Sequence, residues 1–548
     1  MRYRATMVRR IWNRLAVMVP ICTLSLVLAS VSGMLGSVAA GQQADEEGFV
    51  PIFDGKTLEG WDGDPRLWRV EDGAITGETT PETPIKQNTF LIWRLGEVDD
   101  FILRFEYRIF AGNSGLQYRS FEDPEKWGKW VIGGYQADFE AGDRFSGILY
   151  GERFRGILAD RGQKTVIEET HKPRVVERFA DSASLQNVIR KGDWNEYEII
   201  AKGYHFIHKI NGQLMCECTD EDTTMRRRSG LLAIQLHVGP PMKVQVRNIR
   251  LKRLPMEDRK KIVFIAGRPS HGFASHEHNA GCLLLAKCLN ESGLPVHAVV
   301  YRNGWPADPT ALDNADAVVV FSDGGGGHPA LPHLEKLDAL AKRGVGIAML
   351  HYAVEVPKGE PGNYFLNWIG GYFETWWSVN PFWRAKFDSF PDHPVTRGVK
   401  PFEIDDEWYY HMRFRENMEG VTPVLTAIPP DSTRERPDGP HSGNPVVRAR
   451  KGMPEHVAWV YQRPDGGRGF GFTGGHWHWN WANDSFRTLV LNAIVWVAGL
   501  DVPEGGVPSR TPTLEELLEN QDFPPPANFN REAIQKLLDS WKSEKSDN

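Results

Sequence analysis

Between about Phe49 and Leu254 the chain alternates apolar and polar residues. Phe101, Leu103, Phe105, Tyr107 and Ile109 fall on one side, with Ile102, Arg104, Glu106 and Arg108 between them. That period of two is the mark of a strand with one buried face. Tyr197, Ile199 and Ala201 repeat it. Phe206–Ile210 and Gln213–Cys216 flank Asn211-Gly212, which predicts a hairpin closed by a type I′ turn. Val244, Val246, Ile249 and Leu251 close the region, and the break in their spacing predicts a bulge near Asn248. Many short strands with Gly-rich turns predict a β-sandwich over 47–254.

From Lys261 the period changes. Ile262–Ala266, Val296–Tyr301, Ala317–Phe321 and Val345–Leu350 are short apolar runs, the kind buried inside a parallel sheet. Ala280–Ser292 (stopped by Gly293), Leu331–Arg343 and Asp484–Ala498 have helical spacing, the last with Asp484 as its expected cap. Strands alternating with helices predict a doubly wound parallel sheet over 260–502. Residues 503–548 are Pro-rich and charged and read as a peripheral tail with two short helices, Thr513–Asn520 and Arg531–Lys542. At the other end, Arg2, Arg4, Arg9, Arg10 and Arg14 precede a mostly apolar Leu15–Leu35 and a small-residue Val38-Ala39-Ala40. This predicts a signal peptide over 1–40 and a secreted or periplasmic protein; a retained anchor is the alternative.

Composition changes this picture little. A net charge of −7 gives no electrostatic case for nucleic acid or for an anionic membrane. Cys216 and Cys218, one residue apart on a strand, and Cys282 and Cys288, at helical spacing, fit neither a disulfide framework nor a zinc pattern. Nineteen tryptophans suit a protein that meets sugar faces, although most aromatic side chains serve a core.

Candidate chemistry lies in two places. In the sandwich, Gln136, Asp138 and Glu140 alternate onto one face, as do Gln235 and His237, and Arg119 is a further candidate. A polar face on a sandwich suits a ligand site, a divalent metal, or a solvated outer surface. In the second half, ligands of open α/β sheets bind at the carboxyl ends of the strands. There His351 ends an apolar strand, Asp405, Asp406, Glu407 and His411 follow another run, and His476 and His478 follow a third. His351, Glu407 and His476 are the expected pocket, with His271 near its mouth. No HExxH is present, and His276 and His278 are badly spaced for joint ligation on a helix, so a divalent metal is open. Gly324–Gly327 lack the GxGxxG and P-loop settings, so nucleotide is not expected. Trp376, Trp377, Phe382 and Trp383 form an aromatic group that suits a sugar platform, with Trp377 and Trp383 as contacts, or a packed lid.

Two resemblances sharpen these expectations. The runs Phe53-Asp54-Gly55-Lys56-Thr57-Leu58-Glu59-Gly60-Trp61, Gly134-Tyr135-Gln136-Ala137-Asp138-Phe139 and Trp194-Asn195-Glu196-Tyr197 resemble the 3-keto-disaccharide hydrolase domain family, a concanavalin-like jelly roll. The charged Leu158–Arg190 stretch departs from it. The resemblance implies cleavage of glycosidic bonds in 3-keto-glycosides or disaccharides. A ketone at C3 acidifies the proton on C2; a base removes it, the C1 substituent leaves, and water adds. Asp138, Glu140 and His237 are the implied catalytic groups, with Arg119, Gln136 and Gln235 on the substrate. The runs Ser270-His271-Gly272, Leu350–Glu355, Asp406–His411 and Gly474–Trp481 resemble the trehalose-utilisation, or ThuA-like, family, whose fold is like class I glutamine amidotransferases (flavodoxin-like). In that fold a cysteine sits at the strand-to-helix elbow. Here His351 does, which removes thiolate acyl transfer. The expected protein is an exported, carbohydrate-active enzyme with no certain cofactor. The alternative is a non-catalytic sugar-binding module on an inactive amidotransferase-like scaffold.

Overall fold

The computed structural model describes residues 47–543, so the expected signal peptide lies outside the described residues. Among the described residues, no helix is long and apolar enough to cross a membrane.

The first half is a two-sheet sandwich. One sheet has ten strands and runs from Pro173–Arg178 at one edge, through Phe101–Ala111 and Lys243–Arg253 in the middle, to Trp68–Glu71. The other has seven, with Ile132–Glu140, Asn113–Glu122 and Gly230–Leu236 as central neighbours. The alternation read from sequence drives the packing. Phe105, Tyr107, Phe139 and Tyr197 point into one dry layer, with Tyr107 and Phe139 stacked at 4.3 Å. Asn211 and Gly212 have φ of 50° and 77°, as a type I′ hairpin needs. Asn248 has φ 52° where the Lys243–Arg253 strand slips register against Phe101–Ala111. The charged stretch forms Gln163–Ile167 and an exposed edge strand, Pro173–Arg178.

The second half is a seven-stranded sheet in the order Val296–Tyr301, Lys260–Ala266, Ala317–Phe321, Gly346–Leu350, Arg468–Phe472, Glu455–Gln462 and Val421–Ala427. The first five are parallel. The last two are antiparallel, so the sheet is mixed, not wholly parallel. The reason is local: Asp465 to Gly467 turn the chain straight back from Glu455–Gln462 into Arg468–Phe472, leaving no room for a crossover helix. Helices His278–Glu291 and Asp484–Val497 cover one face of the sheet, and Leu334–Lys342 and Glu360–Trp368 the other. The cap of Asp484–Val497 is Asn483, not Asp484. The Asn483 side chain accepts the Phe486 N–H at 3.1 Å, while Asp484 pairs with Arg487. The terminal segment is not peripheral either. Leu514, Leu517 and Leu538 are buried in the α/β core.

A dry polar knot joins the halves. Lys261 Nζ lies 2.5 Å from Asp99 and Asn314 Nδ2 lies 3.0 Å from it, while Arg253 reaches Asp308 at 2.7 Å. All these side chains are buried. Burial alone would raise the Asp99 carboxyl pKa, but Lys261 and Arg253 hold it far below the usual range.

Candidate functional site

Four side chains, three from loops and Glu407 from the end of the Phe402–Glu407 strand, meet at the carboxyl edge of the α/β sheet. Strand Gly346–Leu350 brings the first. Gly346 is required because a Cβ there would meet the Val497 carbonyl oxygen at 2.0 Å, so the strand can lie flush on the closing helix. At its end His351 takes φ 56°, a left-handed conformation that costs a β-carbon-bearing residue about 1–3 kcal/mol and that clusters at functional sites. The turn points the imidazole inward, fully buried, with Nδ1 2.8 Å from the Thr473 carbonyl oxygen. A carbonyl only accepts, so Nδ1 carries the proton and Nε2 presents a lone pair. His276 is set the same way: Nδ1 donates to Asp323 Oδ1 at 2.8 Å, leaving Nε2 as a lone pair. The two Nε2 atoms are 3.1 Å apart. His476 Nδ1 lies 3.0 Å from His276 Nε2 and 3.1 Å from Glu407 Oε2, and Glu407 Oε2 lies 3.7 Å from His351 Nε2.

Two imidazole lone pairs facing each other repel unless a cation sits between them. Donor atoms around a tetrahedral ion with bonds of about 2.1 Å are about 3.4 Å apart, inside the 3.0–3.7 Å span of the four separations above. Three imidazoles and one carboxylate suit a first-row divalent ion such as Zn2+. Burial, with neighbouring histidines adding to it, holds His351 well below its usual pKa and takes His276 to about 4, so both stay in the neutral, ligating form. Outer partners orient three of the four donors. Asp323 and the Thr473 carbonyl hold His276 and His351, and Asn380 Nδ2 donates to Glu407 Oε1 at 3.0 Å. Asp406 accepts the Gly475 and His476 N–H groups at 2.8 and 3.0 Å. Tyr409 OH lies 3.3 Å from both His351 Nε2 and Glu407 Oε2.

The loop that carries His276 is strained and strapped. His271, Ala274 and His276 have φ of 62°, 64° and 49°. The terminal segment clasps it: Gln521 Oε1 accepts the Ala274 N–H at 3.2 Å, and the Asp522 N–H donates to Glu277 at 2.8 Å. Phe529 lies edge-on to Phe273 with ring centroids 5.0 Å apart. Ending the chain after Glu519 is expected to free this loop and to weaken metal affinity by about tenfold or more, with some stability lost because Leu538 leaves the core, checked by equilibrium dialysis against Zn2+ and by thermal melting.

The structure thus brings His351, Glu407 and His476 together and adds His276. Sequence reasoning set His276 aside because a helical spacing to His278 was assumed. His276 instead sits in an irregular turn before the helix, and His278 turns away to the Arg268 carbonyl oxygen at 3.1 Å. His271 stacks on His276 at 3.6 Å and is exposed. The aromatic group splits, with Trp376 and Phe382 exposed and the two expected contacts, Trp377 and Trp383, packed away. Trp383 is buried, its indole N–H donating to the Trp408 carbonyl at 2.9 Å, because the period-two Phe382–Phe387 strand turns it into the core. Trp377 is held between His411, 4.3 Å away, and the Arg413 guanidinium, 3.8 Å away. His478 is buried and packed, with its pKa down to about 3 by desolvation.

In the sandwich, Gln136, Asp138 and Gln235 do gather on the outward face of the seven-stranded sheet. Gln136 Nε2 donates to Asp138 Oδ1 at 2.6 Å and reaches Gln235 Oε1 at 3.2 Å, and Gln117 Nε2 donates to Gln136 Oε1 at 3.0 Å. Glu152, which sequence reasoning missed, accepts from Asn88 at 3.1 Å and from Gln235 at 3.4 Å. Desolvation, aided by the Glu152 charge and opposed by the Gln136 amide, lifts the Asp138 pKa to about 8. Of the other expected members, Arg119 and His237 are elsewhere, and Glu140, on the same strand, is engaged in its own loop. Arg119 has φ 47° at a register break that flips it off the Gln117 face. Its buried guanidinium is spent on Asp100 at 2.8 Å and on the Asp99 and Gly203 carbonyls. Glu140 accepts the Arg144 and Phe145 N–H groups at 2.6 and 2.7 Å and closes its own loop. His237 lies past the end of its strand at Leu236, exposed, with Nδ1 on the Val238 carbonyl at 2.7 Å.

These halves define a class: a β-sandwich with a polar sheet face, joined through buried ion pairs to a doubly wound α/β domain with a buried imidazole–carboxylate centre. Family models place it further. Residues 48–252 match the 3-keto-alpha-glucoside-1,2-lyase-like domain, and residues 262–497 match the trehalose utilisation (ThuA) family, so the chain is a fusion of the two in that order. Similar solved structures include a candidate glycosyl hydrolase from Parabacteroides distasonis, at 21% identity over 38% of this chain and 94% of that one with a TM-score of 0.26. A candidate ThuA-like protein from Parabacteroides merdae is 15% identical over 46% of this chain and 98% of that one, with a TM-score of 0.32. No curated protein matches the chain.

Proposed function

We propose that this is an exported carbohydrate-active enzyme that cleaves the glycosidic bond of 3-keto-glycosides in its sandwich half. We further propose that its α/β half binds a divalent metal ion through His276, His351, His476 and Glu407 and processes a related keto sugar. One observation carries the cleavage reading: Asp138 and Glu152 are two carboxyl groups on one sheet face, linked through Gln136 and Gln235. Glu152 is the base that takes the C2 proton acidified by the neighbouring ketone. Asp138, neutral at pH 7, gives its proton to the oxygen leaving C1. Water then adds across the C1–C2 double bond, and the amides of Gln117, Gln136 and Gln235 hold sugar hydroxyls.

The test is turnover of 3-keto-trehalose and 3-keto-glucosides with and without chelator. Asp138→Asn and Glu152→Gln are each expected to lower the rate by roughly 10²–10⁴. Cleavage is expected to fall as pH rises through about 8, because the acid form of Asp138 is the active one. A profile flat from pH 6 to 9.5 speaks against Asp138 as the acid. One observation favours a second reading, in which the sandwich only docks substrate: its expected Arg119, Glu140 and His237 are engaged or displaced, whereas the α/β donor set is complete. Abolition of cleavage by His351→Ala, with Asp138→Asn still active, selects that reading.

A further inference from the structure

Of the donor set, Glu407 lines a shallow cleft of about 420 Å³ with Asn380, Phe382, Ser432, Thr433 and Arg436. Phe382 is 53% exposed, with its ring edge-on to His476 at 4.8 Å, and offers an apolar face to the carbon skeleton of a sugar. Opposite it stands Arg436.

The surroundings of Arg436 set it apart. Across residues 431–451 the other basic side chains are matched with acids. Arg434 and Arg450 hold Glu455 at 2.7 and 2.8 Å, His441 holds Glu355 at 2.9 Å, Arg448 holds Asp438 at 2.6 Å, and Lys451 holds Glu435 at 2.5 Å. Arg436 has no carboxylate within ion-pair distance among the described residues. Its two terminal nitrogens reach only the Asn380 side-chain oxygen, each at 3.5 Å, too long to satisfy a guanidinium. Asn380 in turn donates to Glu407. The one unmatched cation of the segment therefore faces the opening of the donor set. Once a divalent ion is bound, Glu407 and the Asp323 carboxylate behind His276 offset its charge within the centre, and Arg436 is left as the unpaired cation at the cleft, where an anion is favoured.

We propose that the α/β half acts on a sugar acid, an aldonate or uronate in free or keto form, whose carboxylate is taken by Arg436 while its hydroxyl or carbonyl oxygens face Glu407 and the metal. This rests on the metal reading above and adds the substrate class. A guanidinium and a carboxylate meet in a bidentate, charge-assisted pair about twice as strong as a neutral hydrogen bond, and a guanidinium without an acid is the receptor for one. A neutral sugar gains nothing comparable from the positive cleft.

The experiment loads the full chain with Co2+ and titrates gluconate, glucuronate and glucose, read by calorimetry and by the visible Co2+ spectrum. Gluconate or glucuronate is expected to bind at least about tenfold tighter than glucose. Arg436→Met is expected to erase that preference with Co2+ stoichiometry and thermal midpoint unchanged, and Arg436→Lys to restore part of it. Equal binding of acid and neutral sugar, or a preference that survives Arg436→Met, overturns the proposal. Failure of the metal reading shows separately, as absence of stoichiometric Co2+ before any sugar is added. The same titration on metal-free protein then decides the substrate class: an acid preference lost with Arg436→Met upholds it, and no preference overturns it.

Discussion

Replacing Glu407 with Gln, or His351 with Ala, is expected to strip the metal from the α/β half. Glu407 is the sole anionic ligand, and its Oε2 is the atom that His476 Nδ1 approaches to 3.1 Å. The Gln amide keeps the shape and loses the charge. Removing His351 takes away an imidazole that is already aligned and deprotonated at Nε2. Either change is expected to lower Zn2+ or Co2+ affinity by at least about 10²-fold, beyond the 10–100-fold typical of losing an outer-shell partner. Metal analysis after dialysis reads this directly. Binding also stabilises the fold by linkage, about 2.7 kcal/mol at a hundredfold excess over Kd, so chelator should lower the wild-type midpoint and leave both variants unmoved. A wild-type protein that holds no stoichiometric metal and melts identically with and without chelator defeats the reading.

The second large effect concerns the knot between the halves. Asp99→Ala leaves Lys261 and Arg253 facing each other in a dry interior without the carboxylate that reconciles them. Breaking a buried ion pair by removing one partner costs about 3–5 kcal/mol, and urea unfolding should show that loss. Asp99 titrates far below the unfolded carboxylate value, so its contribution is present above about pH 4 and fades as pH falls below that. The gap between wild type and variant should therefore narrow toward pH 3. A gap constant from pH 7 to pH 3 would exclude the ion pair as its source.

Where side chains repeat with a fixed period, the chain was readable. Phe101 to Ile109 declared a half-buried strand, and Val345 to Leu350 a buried one ending at His351. The hidden parts are those where the backbone breaks its period. Arg119 shares parity with Gln117 on paper, yet one left-handed residue at a bulge sends it inward. His276 stands in a turn whose conformation no periodicity encodes, and its partner His476 is 200 residues away, so no ligand-spacing rule links them. Glu152 was invisible for the same reason, since only the sheet register sets it beside Gln235. The terminal leucines were masked by the charged residues around them.

The strap over the His276 loop separates two properties that usually rise and fall together. Its hold on that loop runs through a few contacts from Gln521, Asp522 and Phe529, while the sheet beneath is closed by the Asp484–Val497 helix. A peptidase, a premature stop codon or a bulky C-terminal fusion tag that displaces the strap could therefore weaken the chemistry while the sheet and its closing helix stay assembled, at the cost of the Leu538 packing. Preparations assayed for activity need mass spectrometry of the intact C-terminus before an inactive result is blamed on the wrong substrate.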